Sequence, residues 1–273
     1  MNIDAKVVEG FGEEWARFDQ APLSEEELRA MFDHYFDIFP WDAIDSAAVG
    51  FDLGCGSGRW ARLVAPRVGR LHLIDPSARA LDVARRNLAG NENCDFHCAG
   101  VDAIPLADGS ADFGYSLGVL HHLPDTQAGI EQCARKLKPG APFLLYLYYA
   151  FDNRPAWFRL LWRCSDGIRR VVSRLPFSVR HPLCQIAAAL VYWPLARLSL
   201  VLEHLGADVG AIPLSQYRHR SFYVMRTDAR DRFGTRLERR FTKDQMRRMM
   251  ERAGLREIAF SQTSFWTAVA RKM

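Results

Sequence analysis

Hydrophobic positions along the chain change period several times, and each change predicts an element. In residues 1–48 the apolar side chains recur at helical spacing. Leu28, Met31, Phe32, Tyr35, Phe36 and Phe39 follow Ser24, which with Glu27 makes a capping-box signature. Pro40 stops that helix. From Val49 the pattern becomes one of short apolar runs separated by helical stretches. A strand over 49–53 runs into Gly54-Cys-Gly-Ser-Gly58 and then a helix over about 59–68. Further strands are predicted at 71–75, 95–98, 113–117 and 143–149, with helices from Ser77 to about 88 and over about 126–137. Strands alternating with helices at this spacing imply βαβ units and a parallel sheet. The alternation stops after Ala150 for about ninety residues that are aromatic, arginine-rich and helical in pattern. It resumes at Phe241, where Thr242 can cap a helix to Ala253 that Gly254 ends, followed by strands at 255–260 and 265–270.

Composition narrows the class without naming a function. Apolar residues are 49% of the 273 and charged residues 25%, which is ordinary for a globular protein and argues against disorder. No short repeat recurs at a fixed period, so a solenoid is not expected. The first residues lack a basic stretch followed by an apolar core, so a cytosolic location is expected. Six scattered cysteines are too few for a disulfide scaffold. The Cys94–His97–Cys98 cluster lacks a second ligand pair at zinc-finger spacing, so no metal is expected. The net charge of +4 hides an asymmetry. Residues 1–48 are acidic and residues 151–240 are rich in arginine, so the two segments either neutralise each other or steer an anionic partner to one face.

The chemistry concentrates at the ends of the first strands. Asp52-Leu-Gly54-Cys-Gly56-Ser-Gly58 ends a strand and opens a helix, which is the form of a nucleotide-binding turn. A dinucleotide turn would place a third glycine at position 59, which is Arg59, and no Gly-Lys-Ser/Thr phosphate loop is present. Asp75 closes the second strand twenty-one residues after Gly54, where a carboxylate can accept from both hydroxyls of a ribose. Asp102 follows the third strand, where it can accept from an adenine amino group.

These motifs resemble the class I S-adenosylmethionine-dependent methyltransferases, particularly the small-molecule subgroup. The resemblance rests on Asp52-Leu-Gly-Cys-Gly-Ser-Gly58, Ile74-Asp75-Pro-Ser77, Val101-Asp-Ala-Ile-Pro-Leu106, Ser116-Leu-Gly-Val-Leu-His-His-Leu123 and Leu137-Lys-Pro-Gly140. It covers about 49–149 and again about 241–273. It implies an α/β, Rossmann-like, seven-stranded, mostly parallel sheet with helices on both faces and the last strand antiparallel. Residues 1–48 would form an N-terminal helical segment covering the cofactor side, 49–149 the cofactor-binding core, 150–240 a helical insertion after the fifth strand serving as a substrate lid, and 241–273 the helix and strand pair that complete the core. S-adenosylmethionine would be the cofactor and S-adenosylhomocysteine the product. Gly54, Cys55 and Gly56 would pass the methionine moiety and ribose, Asp75 would hold the ribose, and Pro76 would lie against the adenine. Asp102 and Ala103 would hold the adenine edge, Leu117 would sit beneath the cofactor, and Asp52 would cap the glycine turn and meet the cofactor's amino group.

The acceptor is less defined, because one fold carries many substrates. His121 and His122 follow the fourth strand, and His122 is the candidate general base for a substrate hydroxyl, against a purely structural role for the pair. Tyr148 and Tyr149 at the end of the fifth strand, and Arg154 just beyond, are candidate substrate contacts. The Asn/Asp-Pro-Pro-Tyr/Phe motif of base-amine methylation is missing from the fourth strand, which reads Tyr115-Ser-Leu-Gly118. DNA is not expected, and no RNA-binding module is visible. The expected acceptor is an oxygen, or a nitrogen, of a small or medium metabolite, sugar or glycan precursor. A lipophilic or membrane-borne acceptor is the enzymatic alternative, and a non-catalytic cofactor-binding regulatory module the rival of another class. In residues 150–240 the apolar run 183–205 is interrupted by Pro194 and Arg197, which argues against a membrane span. A basic amphipathic surface with peripheral membrane contact remains open beside the lid.

Overall fold

The computed structural model describes residues 2–20, 22–263 and 266–273. The chain divides into two compact units, one of residues 1–150 with 237–273 and one of residues 151–236.

The larger unit is built on strands β1 (Val49–Leu53), β2 (Arg70–Asp75), β3 (Cys94–Cys98), β4 (Phe113–Leu117), β5 (Pro142–Tyr146), β6 (Leu255–Phe260) and β7 (Ala268–Lys272). They form one seven-stranded sheet in the order β3-β2-β1-β4-β5-β7-β6. The first five pair in parallel, and β7 runs antiparallel to both β5 and β6. The order reverses between β1 and β4, and in open α/β sheets a crevice for ligands opens at the carboxyl ends of the strands at such a switch point.

Side-chain alternation sorts the core. Phe51 and Leu53 of β1 face a cluster with Ile74, Phe143, Leu145 and Met250. Helices α5 (Thr126–Lys136) and α10 (Lys243–Arg252) supply its outer layer through Ile130, Cys133, Met246 and Met249. Helix α2 (Glu25–Phe36) and the residues after it bring aromatic rings to the sheet as well. Phe36 meets Tyr115 at 5.3 Å between centroids, Phe39 meets Phe113 at 6.0 Å, and Tyr35 meets Tyr146 at 5.2 Å. At the β1–β4 seam two phenylalanines lie over two glycines. Gly50 is registered with Phe113 and Phe51 with Gly114. A Cβ at Gly50 would fall 2.1 Å from the Phe113 ring, and one at Gly114 would fall 2.3 Å from the Phe51 ring. Each glycine therefore clears the space that its neighbour's ring fills.

Local capping follows the sequence. Ser77 accepts from the Ala80 amide to start α4 (Ala78–Asn87), and Ser24 accepts from Glu27 to start α2. Thr242 and Gln245 form a reciprocal capping box on α10, and Gly254 follows that helix with φ +75°. Three expectations need correction. The helix expected over 59–68 is only α3 (Ala61–Val64) followed by a 3-10 turn at Ala65–Arg67, because Pro66 cannot extend α-helical bonding. The fifth strand ends at Tyr146; beyond it only an isolated bridge joins Tyr149 to Phe241. The last strand starts at Ala268, and Phe265, where it was expected to begin, lies outside the described residues.

The smaller unit is helical: α6 (Ala156–Val172), α7 (Phe177–Ala187), a π-helical turn (Ala188–Tyr192), α8 (Trp193–His204) and α9 (Phe222–Gly234). Its core joins Ala188, Tyr192 and Ala196 to Met225 and Ala229 of α9. Pro194 does not interrupt the apolar run, contrary to expectation. Residues 177–204 form one continuous helix of 28 residues. The wide π turn lies just before Pro194, where the missing amide would otherwise break the regular ladder. A buried ion pair braces the unit. Arg169 Nε donates to Asp166 Oδ1 at 2.7 Å and its guanidinium also donates to the Thr235 carbonyl at 2.8 Å. Burial alone would raise the Asp166 carboxyl, but Arg169, with Arg232 and Arg170, holds it below the ordinary value.

The seam between β1 and β4 gives a test of this packing. Gly114→Ala should lower stability by about 1–3 kcal/mol, the usual cost of overpacking, measured by urea denaturation. A loss under about 0.5 kcal/mol, the range of surface changes, would show that the Phe51 ring is free to move aside.

Candidate active site

The turn after β1 takes its shape from left-handed backbone. Gly54, Gly56 and Gly58 have φ of +76°, +54° and +73°, which side chains rarely tolerate. Space is also short. A Cβ on Gly54 would lie 2.4 Å from the Val119 methyls, and one on Gly56 would lie 2.8 Å from the Trp15 indole nitrogen. The turn is pinned to β2, where the Gly54 amide donates to the Ile74 carbonyl at 2.7 Å.

Two carboxylates stand beside this turn. Asp75 accepts from the Gly56 amide at 3.0 Å on one oxygen and from the Ser77 amide at 2.8 Å on the other. Each oxygen keeps capacity for another donor, as a ribose hydroxyl would supply. Burial pushes its pKa up to about 6, against the pull of those two amides. Asp52 is 2% exposed, and its Oδ2 has no hydrogen-bond partner among the described residues. The buried hydroxyl of Tyr115, its register partner on β4, interacts with the Asp52 carboxyl. Burial first, then the charge of Asp75, pushes the Asp52 pKa to about 8, with the nearby Tyr115 hydroxyl working against them. A buried carboxyl near a strand end, with Oδ2 unpartnered among the described residues, fits a cationic group such as the cofactor's α-ammonium. Glycines that clear the backbone and a carboxylate with spare acceptor capacity fit its ribose. Cys55 lies between these groups, and burial together with Asp75 and Asp52 raises its thiol well above the ordinary value, so it stays protonated.

The side expected to take an adenine is less open. Val101–Ala103 is a 3-10 turn that contains both Asp102 and Ala103. Asp102 accepts from the backbone amide of Asn2, whose side chain in turn exchanges hydrogen bonds with the Asp125 backbone. Ile3 sits so close to Gly100 that a Cβ there would fall 2.0 Å from its Cδ1. The helix that follows, α1 (Ala5–Arg17), lays Gly12 on Ser77 and Trp15 on Gly56. The N-terminal segment therefore covers the glycine turn, Asp75 and Asp102 together. Pro76 reaches this edge through a 3.7 Å contact of its carbonyl with the Cys98 thiol. Leu117 ends β4, and the next amide, of Gly118, donates to the Tyr146 carbonyl at 3.0 Å.

Beyond β4 lies a compact aromatic and basic cluster. His121 and His122 are buried, with ring centroids 3.9 Å apart, and Tyr148 stacks on His121 at 3.8 Å. Phe11 of α1 approaches His122 at 5.0 Å, and the Arg240 guanidinium lies 5.1 Å from the Tyr148 ring centroid. Burial first, with His122 and Arg240 adding to it, drives His121 well below the ordinary histidine value, so it is neutral. His122 Nδ1 lies 2.7 Å from the Leu237 carbonyl oxygen. A carbonyl only accepts, so Nδ1 carries the proton and Nε2 presents a lone pair. That Nε2 is buried and without a hydrogen-bond partner among the described residues.

The structure thus brings Asp52, Gly54, Cys55, Gly56 and Asp75 together around the turn, with Asp102 and Ala103 under the same N-terminal cover. His122 and Tyr148 join one cluster. Tyr149 packs edge-on to Trp266 at 5.2 Å, against the core. Arg154 belongs to the smaller unit, where it donates to the Gly210 carbonyl. Sequence reasoning did not single out Asn2, Phe11, Trp15 or Leu237. Phe11 and Trp15 are four residues apart on α1, a visible helical signal. The role of Leu237 rests on a backbone carbonyl and leaves no side-chain mark.

The raised Asp52 pKa has a measurable consequence. Between 3.8 and about 8 the folded carboxyl holds a proton that the unfolded one has lost, so the ligand-free protein should become less stable as pH rises through that window. An ammonium beside Asp52 lets it ionise. Binding of S-adenosylhomocysteine at pH 7 should therefore release roughly one proton, read by calorimetry in buffers of different ionisation enthalpy. Asp52→Asn should abolish the release. A binding heat independent of buffer would place the amino group elsewhere.

Comparison with known proteins agrees with this geometry. A family model described as a methyltransferase domain matches residues 51–145. The chain is 30% identical over 180 residues to a ubiquinone biosynthesis O-methyltransferase from Xanthomonas oryzae pv. oryzae, covering 65% of this chain and 71% of that protein. It is 27% identical over 164 residues to a malonyl-[acyl-carrier protein] O-methyltransferase from Serratia marcescens, covering 57% of this chain and 62% of the other. Its fold is similar to that of the methyltransferase solved in complex with the Haloferax volcanii Trm112 methyltransferase activator, with a TM-score of 0.57 and 18% identity over 97% of this chain and 96% of that one. With a glycine turn, paired carboxylates and a β3-β2-β1-β4-β5-β7-β6 sheet of this kind, the chain belongs to the class I S-adenosylmethionine-dependent methyltransferases.

Proposed function

We propose that this enzyme methylates a hydroxyl oxygen of a small or medium acceptor, with His122 as general base. The observation that carries this reading is the His122 ring, whose Nδ1–H is held by the Leu237 carbonyl at 2.7 Å while Nε2 is buried and has no partner among the described residues. A neutral hydroxyl is a weak nucleophile, and its proton must leave as the carbon–oxygen bond forms. S-adenosylmethionine supplies an activated methyl group and leaves as S-adenosylhomocysteine. Nε2 takes the hydroxyl proton, and the Leu237 carbonyl then steadies the resulting imidazolium through Nδ1–H. Neutral His121, stacked between His122 and Tyr148, fixes the ring without competing for the proton. The two relatives described above, both named O-methyltransferases, support oxygen over nitrogen or carbon as the acceptor atom.

A lipophilic acceptor is the second reading, in place of a sugar or glycan precursor. It is favoured by the large exposed apolar side chains of residues 151–236, among them Leu160, Val171, Leu190 and Leu205.

His122→Ala should lower turnover on the true acceptor by about 10²–10⁴ and leave S-adenosylhomocysteine affinity nearly unchanged. The assay is run on phenolic and sugar hydroxyl acceptors, with and without detergent. A loss below tenfold would return His122 to a structural role.

A further inference from the structure

Helix α6 has three distinct sides. At about 100° per residue, its inner side carries Trp162, Asp166, Arg169 and Val172, all buried or half-buried. A second side carries Trp157, Leu160, Leu161, Ile168 and Val171, which are 51–64% exposed. The third side carries Arg159, Arg163 and Arg170, with Arg174 just past the helix end, all exposed. The four arginines fall within an arc of about 60°, and the apolar arc is centred about 120° away. A helix serving only as a cover inside a water-soluble enzyme turns its apolar side inward; this one packs a mixed side held by the Asp166–Arg169 pair inward and leaves its wholly apolar side exposed, with arginine along the remaining edge.

The long helix over 177–204 repeats the pattern. One side packs Cys184, Ala188, Tyr192 and Ala196 inward. The other exposes Leu183, Ile186, Leu190, Leu198, Val201 and, just beyond the helix, Leu205. Exposed Pro194 bridges Leu190 and Leu198 in the same row at four-residue steps, and the π turn takes up the added residue that keeps the row on one side. By length and composition this helix could cross a membrane. Its inner side rules against that, because it packs on α9, which carries Arg226, Asp228, Arg230, Asp231 and Arg232. Taking α9 into hydrocarbon would bury all five charges. A helix lying in the interface keeps them out and still covers the exposed row.

We propose that residues 151–236 dock on the surface of a bilayer containing anionic phospholipid, with the apolar sides of α6 and of 177–205 in the acyl–headgroup boundary and Arg159, Arg163 and Arg174 on phosphate, while Arg170 pairs with Asp166. Charge complementarity selects this occupant. The unit holds fourteen arginines and no lysine against six acidic residues, although the whole chain is only +4. Arginine presents a planar fork that matches phosphate, and exposed Trp157 and Trp193 are suited to the headgroup level. A second copy of this chain would bring arginine against arginine along the same edge.

This docking is read without turnover, so it stands or falls separately from the role of His122. The full chain is floated with vesicles of phosphatidylcholine alone and of phosphatidylcholine mixed with phosphatidylglycerol. The wild type should float with the mixed vesicles, weakly with the neutral ones, and less as salt rises. Replacing Arg159, Arg163 and Arg174 with glutamine should lower partition to mixed vesicles by about tenfold or more. Replacing Leu160, Leu190 and Leu198 with serine should lower it to both kinds. Both variants should keep the helical circular dichroism of the wild type, which shows that the 151–236 unit is folded, and bind S-adenosylhomocysteine as the wild type does. Three results would overturn the proposal: no flotation of the wild type, equal flotation on both vesicles with the arginine variant unaffected, or a wild-type dimer that the serine variant dissociates in the absence of vesicle binding.

Discussion

Two buried carboxyls, with no basic partner among the described residues, govern the larger unit. Asp52 and Asp75 lie at the ends of adjacent parallel strands beside a left-handed glycine turn; burial disfavours ionisation of both, and the charge of Asp75 adds to it at Asp52. Such a pair is costly in a ligand-free fold unless it is hydrogen-bonded or kept neutral. The protein does both, giving Asp75 two backbone amides and leaving Asp52 protonated up to about pH 8. A ligand that brought hydroxyls to one carboxylate and an ammonium to the other would recover the cost. Several features of the fold serve that arrangement. The Gly50–Phe113 and Phe51–Gly114 pairs set the β1–β4 seam that aligns Asp52 with Tyr115, and α1 lays Gly12 and Trp15 over the turn.

The chemistry proposed for the acceptor side rests on a different device, a backbone carbonyl that orients a histidine. Leu237 is the first residue after the 151–236 unit, so the returning chain supplies the acceptor that fixes the His122 tautomer. The adjoining Arg239 amide donates to the His121 carbonyl at 3.1 Å, and Arg240 lies over Tyr148. The segment 237–241 thus holds the histidine pair from one side while Phe241 bridges to Tyr149 on the other. A large helical unit can be inserted between Ala150 and Leu237 because both ends of the core are tied at this point.

Much of the binding edge was legible in the sequence, because its residues are constrained by local backbone. Glycines at 54, 56 and 58 mark positive φ, Asp75 marks the end of a strand, and Ser77 and Thr242 mark helix starts; each is decided within a few residues. What was illegible depends on distant partners. The Asn2–Asp102 contact joins positions one hundred residues apart, and the His122–Leu237 bond joins positions 115 apart, through backbone atoms that every residue type carries. Pro194 misled for a related reason. Its effect on a helix depends on the turn before it, and a π turn absorbs what a regular helix would not. The three-sided character of α6 was half visible as arginines among aromatics, but which apolar side faces inward is settled only by packing against α9 and the 235–236 backbone.

The central claim is that Asp75 holds the cofactor's ribose at the end of β2. Calorimetric titration of S-adenosylhomocysteine into wild type and Asp75→Ala tests it most directly. The account predicts binding weaker by about 1–3 kcal/mol in the variant, the cost of leaving buried hydrogen-bonding groups without their partner. Equal affinity in the two proteins would contradict it.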